Sequence, residues 1–135
     1  MYSLFVLAED PVASFSVYEF DAAYEPNDVI RFSRILYNDG RHYNDLTGIF
    51  ECPTHGIYML HFSIRARTFL RVHLMKEGEV LVSAVGPASF QMSNLVFDEC
   101  FPGQTMWLEA DSYGDTIGSD EYRTITFSGA LLEAL

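Results

Sequence analysis

Cysteine is scarce: Cys52 and Cys100 are the only two in 135 residues, too few for a disulfide framework or a four-ligand zinc site. Helical signal is lacking as well, since no long segment repeats apolar residues at the 3.6-residue period. No apolar run approaches the roughly 20 residues a membrane span needs, so membrane insertion is not expected. The opening Met1–Ala8 has no basic residue and only a short apolar stretch. A secretory leader is therefore not read there. Bases are few, 8 against 19 acids, for a net charge of −11. Phosphate backbones and anionic lipid would be repelled, which argues against nucleic acid as a partner and for cations or basic protein patches. The sequence also has no internal repeat, no collagen-type triplet run, no heptad segment and no Asn-x-Ser/Thr acceptor.

What is present points to short strands. Aromatic residues make up 15% of the chain, and such residues pack well on a pleated, half-buried surface. The length fits one domain able to hold its own core. From Leu36 to Phe62 turn residues and strand residues alternate quickly: Asn38-Asp39-Gly40, Thr47-Gly48, Pro53 and Gly56 interrupt the chain every few positions. After Gly56 the pattern becomes strictly period two. Tyr58, Leu60, Phe62, Ile64 and Ala66 fall on one face, and Met59, His61, Ser63 and Arg65 on the other, which predicts a half-buried strand.

The same reading predicts a first strand over 12–19, a polar loop over 21–28 and a second strand over 29–36 with Ile30 and Phe32 on one side. Thr68-Phe69 reads as a hairpin tip leading into the alternating Leu70, Val72 and Leu74. Glu77-Gly78 is a short turn into Val80–Val85, which ends at Gly86-Pro87. A strand beginning over 92–97 follows, then a type II turn at Phe101-Pro102-Gly103-Gln104. Met106, Leu108 and Ala110 alternate with Trp107, Glu109 and Asp111, a loop covers 112–121, and a last strand runs from Tyr122 to about Leu132. About ten short strands with turns every eight to twelve residues predict an all-β sandwich or jelly roll.

The run Tyr43…Thr47-Gly48-Ile49-Phe50-Glu51-Cys52-Pro53…Gly56-Ile57-Tyr58…Phe62 resembles the central signature of the globular head of complement C1q and its many secreted relatives. Ala13-Ser14-Phe15-Ser16-Val17, Leu74-Met75-Lys76-Glu77-Gly78 and Thr126-Phe127-Ser128-Gly129-Ala130-Leu131-Leu132 match further pieces in the same order. The resemblance implies residues 13–135 as a C1q-like domain behind a lead-in of residues 1–12. The expected fold is a ten-stranded jelly-roll sandwich of the C1q and tumour-necrosis-factor kind, assembled as a homotrimer. It implies secretion, and either a trimer held by the heads alone or a stalk outside this chain. Phe15, Tyr58, Phe62 and Phe127, with Gly129, are expected in the protomer core or on the trimer wall. Cys52 stands where the family often has a lone buried thiol, so both cysteines are expected as reduced core residues, with a Cys52–Cys100 bridge left as the alternative.

No catalytic constellation appears. There is no Gly-x-Ser-x-Gly elbow, no cysteine with an activating neighbour and no paired-histidine metal pattern. His61 and His73 share the alternation of Arg65 and Arg71, which assigns them to the surface. Two clusters are candidate binding sites. Asp111, Asp115, Asp120 and Glu121 lie around one Gly-containing loop, the kind of oxygen-rich segment that holds calcium. A solvated acidic loop is the simpler reading, and no cofactor is expected. The apical calcium of some family members uses acids where this chain has the acid-free Gly86–Ser93. Arg65, Arg67 and Arg71, with His73, form a basic group suited to carboxylate, sulfate or phosphate on glycans. The alternative is that these charges balance neighbouring acids. The expected function is a non-catalytic recognition module binding microbial surface glycans or charged ligands in innate immunity. Its rivals are an adiponectin- or tumour-necrosis-factor-like ligand for a protein receptor, and a trimerising cap on a longer chain.

Overall fold

The computed structural model describes residues 13–135; the expected lead-in of residues 1–12 lies outside them. Twelve strands follow in order: β1 Ser14–Tyr18, β2 Ala23–Tyr24, β3 Arg34–Asp39, β4 Tyr43–Asn44, β5 Ile49–Glu51 and β6 Gly56–Arg65. Then come β7 Leu70–Lys76, β8 Glu79–Gly86, β9 Gln91–Cys100, β10 Thr105–Ala110, β11 Gly114–Asp115 and β12 Ile125–Ala134. Ten of them build two five-stranded sheets, β3-β1-β12-β6-β9 and β4-β5-β10-β7-β8, while β11 pairs with β2. Every named pairing is antiparallel. The all-β jelly roll expected from the sequence is thus the observed fold. Among the described residues no helix is long and apolar enough to cross a membrane.

The alternation that predicted the strands builds the core. Tyr58, Leu60, Phe62 and Ile64 of β6 are fully buried, as are Leu70, Val72 and Leu74 of β7 and Met106, Leu108 and Ala110 of β10. These inward rows meet between the sheets, where each large side chain taken from water contributes on the order of 1.5–3 kcal/mol. The Phe15 ring lies 4.9 Å from Phe50, 5.0 Å from Phe127 and 5.3 Å from Tyr43. Gly129 sits opposite Phe15 on one side and Leu60 on the other. A Cβ there would come within 2.7 Å of both side chains, so the aromatic packing requires glycine. Phe15, Tyr58, Phe62, Phe127 and Gly129 are therefore interior to the protomer.

Three local expectations are corrected. The strand over 29–36 is split: only Arg34–Asp39 pairs as a strand, although Ile30 and Phe32 are fully buried as predicted. The intervening backbone finds other partners. Ile30 N–H donates to Leu108 C=O at 2.8 Å, and the Tyr43 hydroxyl donates to Phe32 C=O and accepts from Phe32 N–H, both at 2.9 Å. Thr68-Phe69 is not a hairpin tip. β6 and β7 lie in different sheets, so these residues carry the chain across the sandwich.

The third correction concerns the cysteines, which are disulfide-bonded rather than free. Cys52 follows β5 in one sheet and Cys100 ends β9 in the other. The Phe101–Gln104 turn brings them together: Cys52 N–H donates to Gln104 C=O at 2.9 Å and Gly103 N–H donates to Cys52 C=O at 2.8 Å. Gly103 has φ of 88° and Gln104 N–H closes the turn on Phe101 C=O at 3.1 Å, the type II geometry expected of Pro102-Gly103. The Glu77-Gly78 turn also stands. Both residues have positive φ, 50° and 83°, a pattern that matches strand twist in two-residue hairpins.

Candidate functional site

The candidate basic cluster lies where the chain leaves β6 and enters β7. The crossing residue Ala66 is fully buried and bridges Thr116, and its carbonyl accepts from Ser89 N–H at 2.7 Å. Pinning the backbone there turns Arg65, Arg67 and Arg71 outward onto different surroundings.

Arg67 Nη2 donates to Asp21 Oδ2 at 2.8 Å, and the other carboxylate oxygen, Oδ1, accepts from Gly118 N–H at 2.7 Å. Arg71 Nε donates to Asp111 Oδ2 at 3.0 Å, while Arg71 Nη2 reaches the Asp111 carbonyl at 3.2 Å. His73 contacts the same carboxylate through Nε2 at 2.9 Å and Ser83 Oγ through Nδ1 at 2.6 Å. The hydrogen bond from His73, helped by Arg71, holds the Asp111 carboxyl below the usual carboxylate range against the opposing effect of desolvation. The His73 side chain is 18% exposed, more enclosed than a surface histidine, because β8 supplies Ser83 beside it. Arg65 takes part in none of the ion pairs among the described residues. The sequence cluster thus separates into two neutralised groups and one guanidinium with no ion pair among the described residues.

The acidic loop separates in the same way. Asp111 is held by Arg71 and His73. Asp115 engages through its backbone, donating N–H to Thr68 Oγ1 at 3.0 Å and accepting from Arg67 N–H at 2.8 Å. Asp120 accepts a hydrogen bond from the Tyr18 hydroxyl, and Glu121 is exposed. Among the described residues no group of three or more His, Cys, Asp or Glu is arranged to hold a metal ion. These four acids do not converge as calcium ligands must.

The sequence reading missed Asp21 and Asp111 as the partners that consume Arg67 and Arg71. Asp21 lies 46 residues from Arg67 and Asp111 lies 40 from Arg71, and nothing local in the chain signals either pairing.

A second surface feature is apolar. On the outward face of the β3-β1-β12-β6-β9 sheet, Leu95 and Phe97 of β9 stand opposite His61 and Met59 of β6. Leu95 is 44% exposed and Phe97 57%. On β8, the edge strand of the other sheet, Val80 and Val85 are also exposed.

Comparison with known proteins places this architecture. Residues 14–132 match the C1q domain family. A mouse protein, complement C1q and tumor necrosis factor-related protein 9, is 31% identical over 114 residues, 79% of this chain but 34% of that protein. The chain thus spans about a third of that relative's length. Among solved structures, the globular domain of zebrafish complement 1qA matches with a TM-score of 0.75 at 19% identity, covering 91% of this chain and 99% of that one. Murine APRIL matches with a TM-score of 0.71 at 14% identity, over 90% of this chain and all of its own. Eiger TNF from S. frugiperda also gives 0.71, at 10% identity over 93% and 96%. These structural likenesses show the jelly-roll fold, and the sequence match over nearly all of the described residues shows that the chain belongs to the C1q domain family.

Proposed function

We propose that this domain is a non-catalytic recognition module that works outside the cell as a homotrimer and binds charged groups on microbial surface glycans. The observation that carries the trimer is the outward row of Leu95 and Phe97 beside Met59 and His61. Large exposed apolar residues gathered on one face of a folded domain mark a surface to be covered. Three copies would multiply a weak single-site contact into useful avidity. The buried Cys52–Cys100 disulfide supports an extracellular setting, because such bonds persist in oxidising compartments. Recognition is supported by a surface on which charged side chains of both signs are held in fixed positions by hydrogen bonds to one another.

The second reading is a ligand for a protein receptor. It is favoured by β3, an edge strand on which Ile35, Leu36 and Tyr37 are each about half exposed, a surface suited to a protein partner.

Light scattering combined with binding to isolated lipopolysaccharide and peptidoglycan separates these readings. A trimer that binds either glycan and keeps its mass under chelation supports the proposal. Nanomolar binding to a protein receptor without glycan binding selects the second reading. A trimer that binds nothing is a structural cap, and a monomer overturns recognition by avidity.

A further inference from the structure

We infer that the glycan contact is made by Arg65 alone, at a cleft walled by the 117–124 loop, and that the ligand is a single sugar ring bearing a carboxylate. The inference rests on the recognition reading above and names its site and ligand class.

Arg67 is occupied by Asp21 and Arg71 by Asp111, so a ligand anion recruiting either would have to break an existing ion pair. Arg65, exposed at the end of β6, has no such competitor among the described residues. It lines a cleft of about 320 Å³ with Ile117, Gly118, Ser119, Tyr122 and Thr124. That lining holds one charge, and the charge is positive, in a chain whose net charge is −11. A planar guanidinium free of a protein partner presents two parallel N–H donors to a carboxylate.

The walls are held in place before any ligand arrives. Ile117 N–H donates to Arg65 C=O at 2.9 Å, and Arg65 N–H donates to Thr124 C=O at 3.1 Å. The Thr124 hydroxyl donates to Ile117 C=O. Gly118 N–H is tied to the Asp21 carboxylate that also holds Arg67. A Cβ at Gly118 would meet Glu19 O at 2.5 Å, so the loop packs against the β1 end as closely as glycine allows. Pre-formed walls lower the ordering cost of binding.

The remaining chemistry selects a sugar over a bare anion. Tyr122 is 74% exposed and offers an aromatic face with a polar tip, a rigid contact surface of low entropy cost. Ser119 Oγ accepts from Tyr122 N–H at 3.1 Å, which leaves its own hydroxyl proton to donate. A cleft near the lower end of ligand-pocket sizes takes one ring rather than an oligosaccharide.

The test is amide-shift titration of the full chain with methyl β-glucuronide, methyl β-glucoside and acetate. Saturable shifts at Gly118, Ser119 and Thr124 are expected with the glucuronide and far smaller ones with the other two. Arg65→Ala should weaken glucuronide binding by about tenfold or more, the scale of one charge-assisted pair, and Tyr122→Ala should weaken it less. Arg71→Ala, whose guanidinium pairs with Asp111 away from the cleft, is expected to leave it unchanged. Acetate binding as tightly as the glucuronide would overturn the sugar, and glucuronide binding indifferent to Arg65→Ala would overturn the site. If Arg65→Ala retains full binding to acidic glycans, this site is wrong while glycan recognition stands. If the unmodified protein binds no glycan at all, both fail.

Discussion

Cys52 and Cys100 are bonded across the sandwich, one just after β5 in one sheet and the other at the end of β9 in the opposite sheet, with their Cα atoms 6.4 Å apart. Both are fully buried. The bond spans 48 residues, and in the chain-entropy treatment closing a loop of that length stabilises the fold by about 4 kcal/mol. The double substitution Cys52→Ala, Cys100→Ala should therefore lower Tm by roughly 15 °C. Calorimetry on the two proteins decides this, and an unchanged Tm would show that the bond adds nothing the packing does not already supply.

Gly129 separates Phe15 from Leu60 in the middle of the core. Gly129→Ala should destabilise by about 1–3 kcal/mol through overpacking, since the added methyl has no space to enter. Urea unfolding gives the difference directly, and a neutral substitution would mean that the Phe15 ring can move aside.

Burial pushes the Tyr24 hydroxyl from 10.0 up to about 12, with Glu19 and Asp28 adding to it and a hydrogen bond from Thr116 opposing. Because the folded value lies above the unfolded one, the unfolded chain loses its proton first as pH rises. Stability is unaffected at neutral pH and falls between pH 10 and about 12, by roughly 2–3 kcal/mol from this group. Burial raises Tyr43 and Tyr58 in the same direction. Tyr24→Phe should flatten the alkaline decline of the urea midpoint; an identical slope in the variant would remove Tyr24 as its source.

The Asp111 carboxyl is held below the usual carboxylate range, first by the hydrogen bond from His73 and then by Arg71. Its contribution is present above the unfolded value of 3.8 and is lost as pH falls through the lower folded value. In a carbon-detected NMR titration, His73→Ala should move the Asp111 midpoint upward toward its ordinary position. A midpoint that stays put would assign the depression to Arg71 instead.

Phe97 is more than half exposed on the outer sheet face, so Phe97→Asp should leave the protomer fold intact. Under the proposed assembly it should convert trimer to monomer in light scattering, with the circular dichroism spectrum unchanged. A trimer that survives the charge would place its interface elsewhere.

Much of the fold could be read from the residues, and for local reasons. The period-two row from Tyr58 to Ala66 is long and apolar enough to fix which face of β6 is buried, and Glu77-Gly78 and Pro102-Gly103 carry their turn geometry in their own backbone preferences. What escaped was non-local. Thr68-Phe69 has the same composition whether β7 returns beside β6 or crosses to the opposite sheet, and the choice is made by distant strands. The Cys52–Cys100 bond depends on where β5 and β9 end in space. The site was half legible: Arg65, Arg67 and Arg71 were identified as a group, but Asp21 and Asp111, which divide them, are recruited from remote segments.

The position of β12 between β1 and β6 has a consequence for biosynthesis. Until Ile125–Ala134 has left the ribosome, β1 and β6 each present an unpaired edge where their shared neighbour belongs. The nascent chain can form β7–β8, whose hairpin is local, but not the sheet that spans its first and last strands. Cooperative folding must wait for β12, and during that interval the exposed edges are the segments most in need of a chaperone.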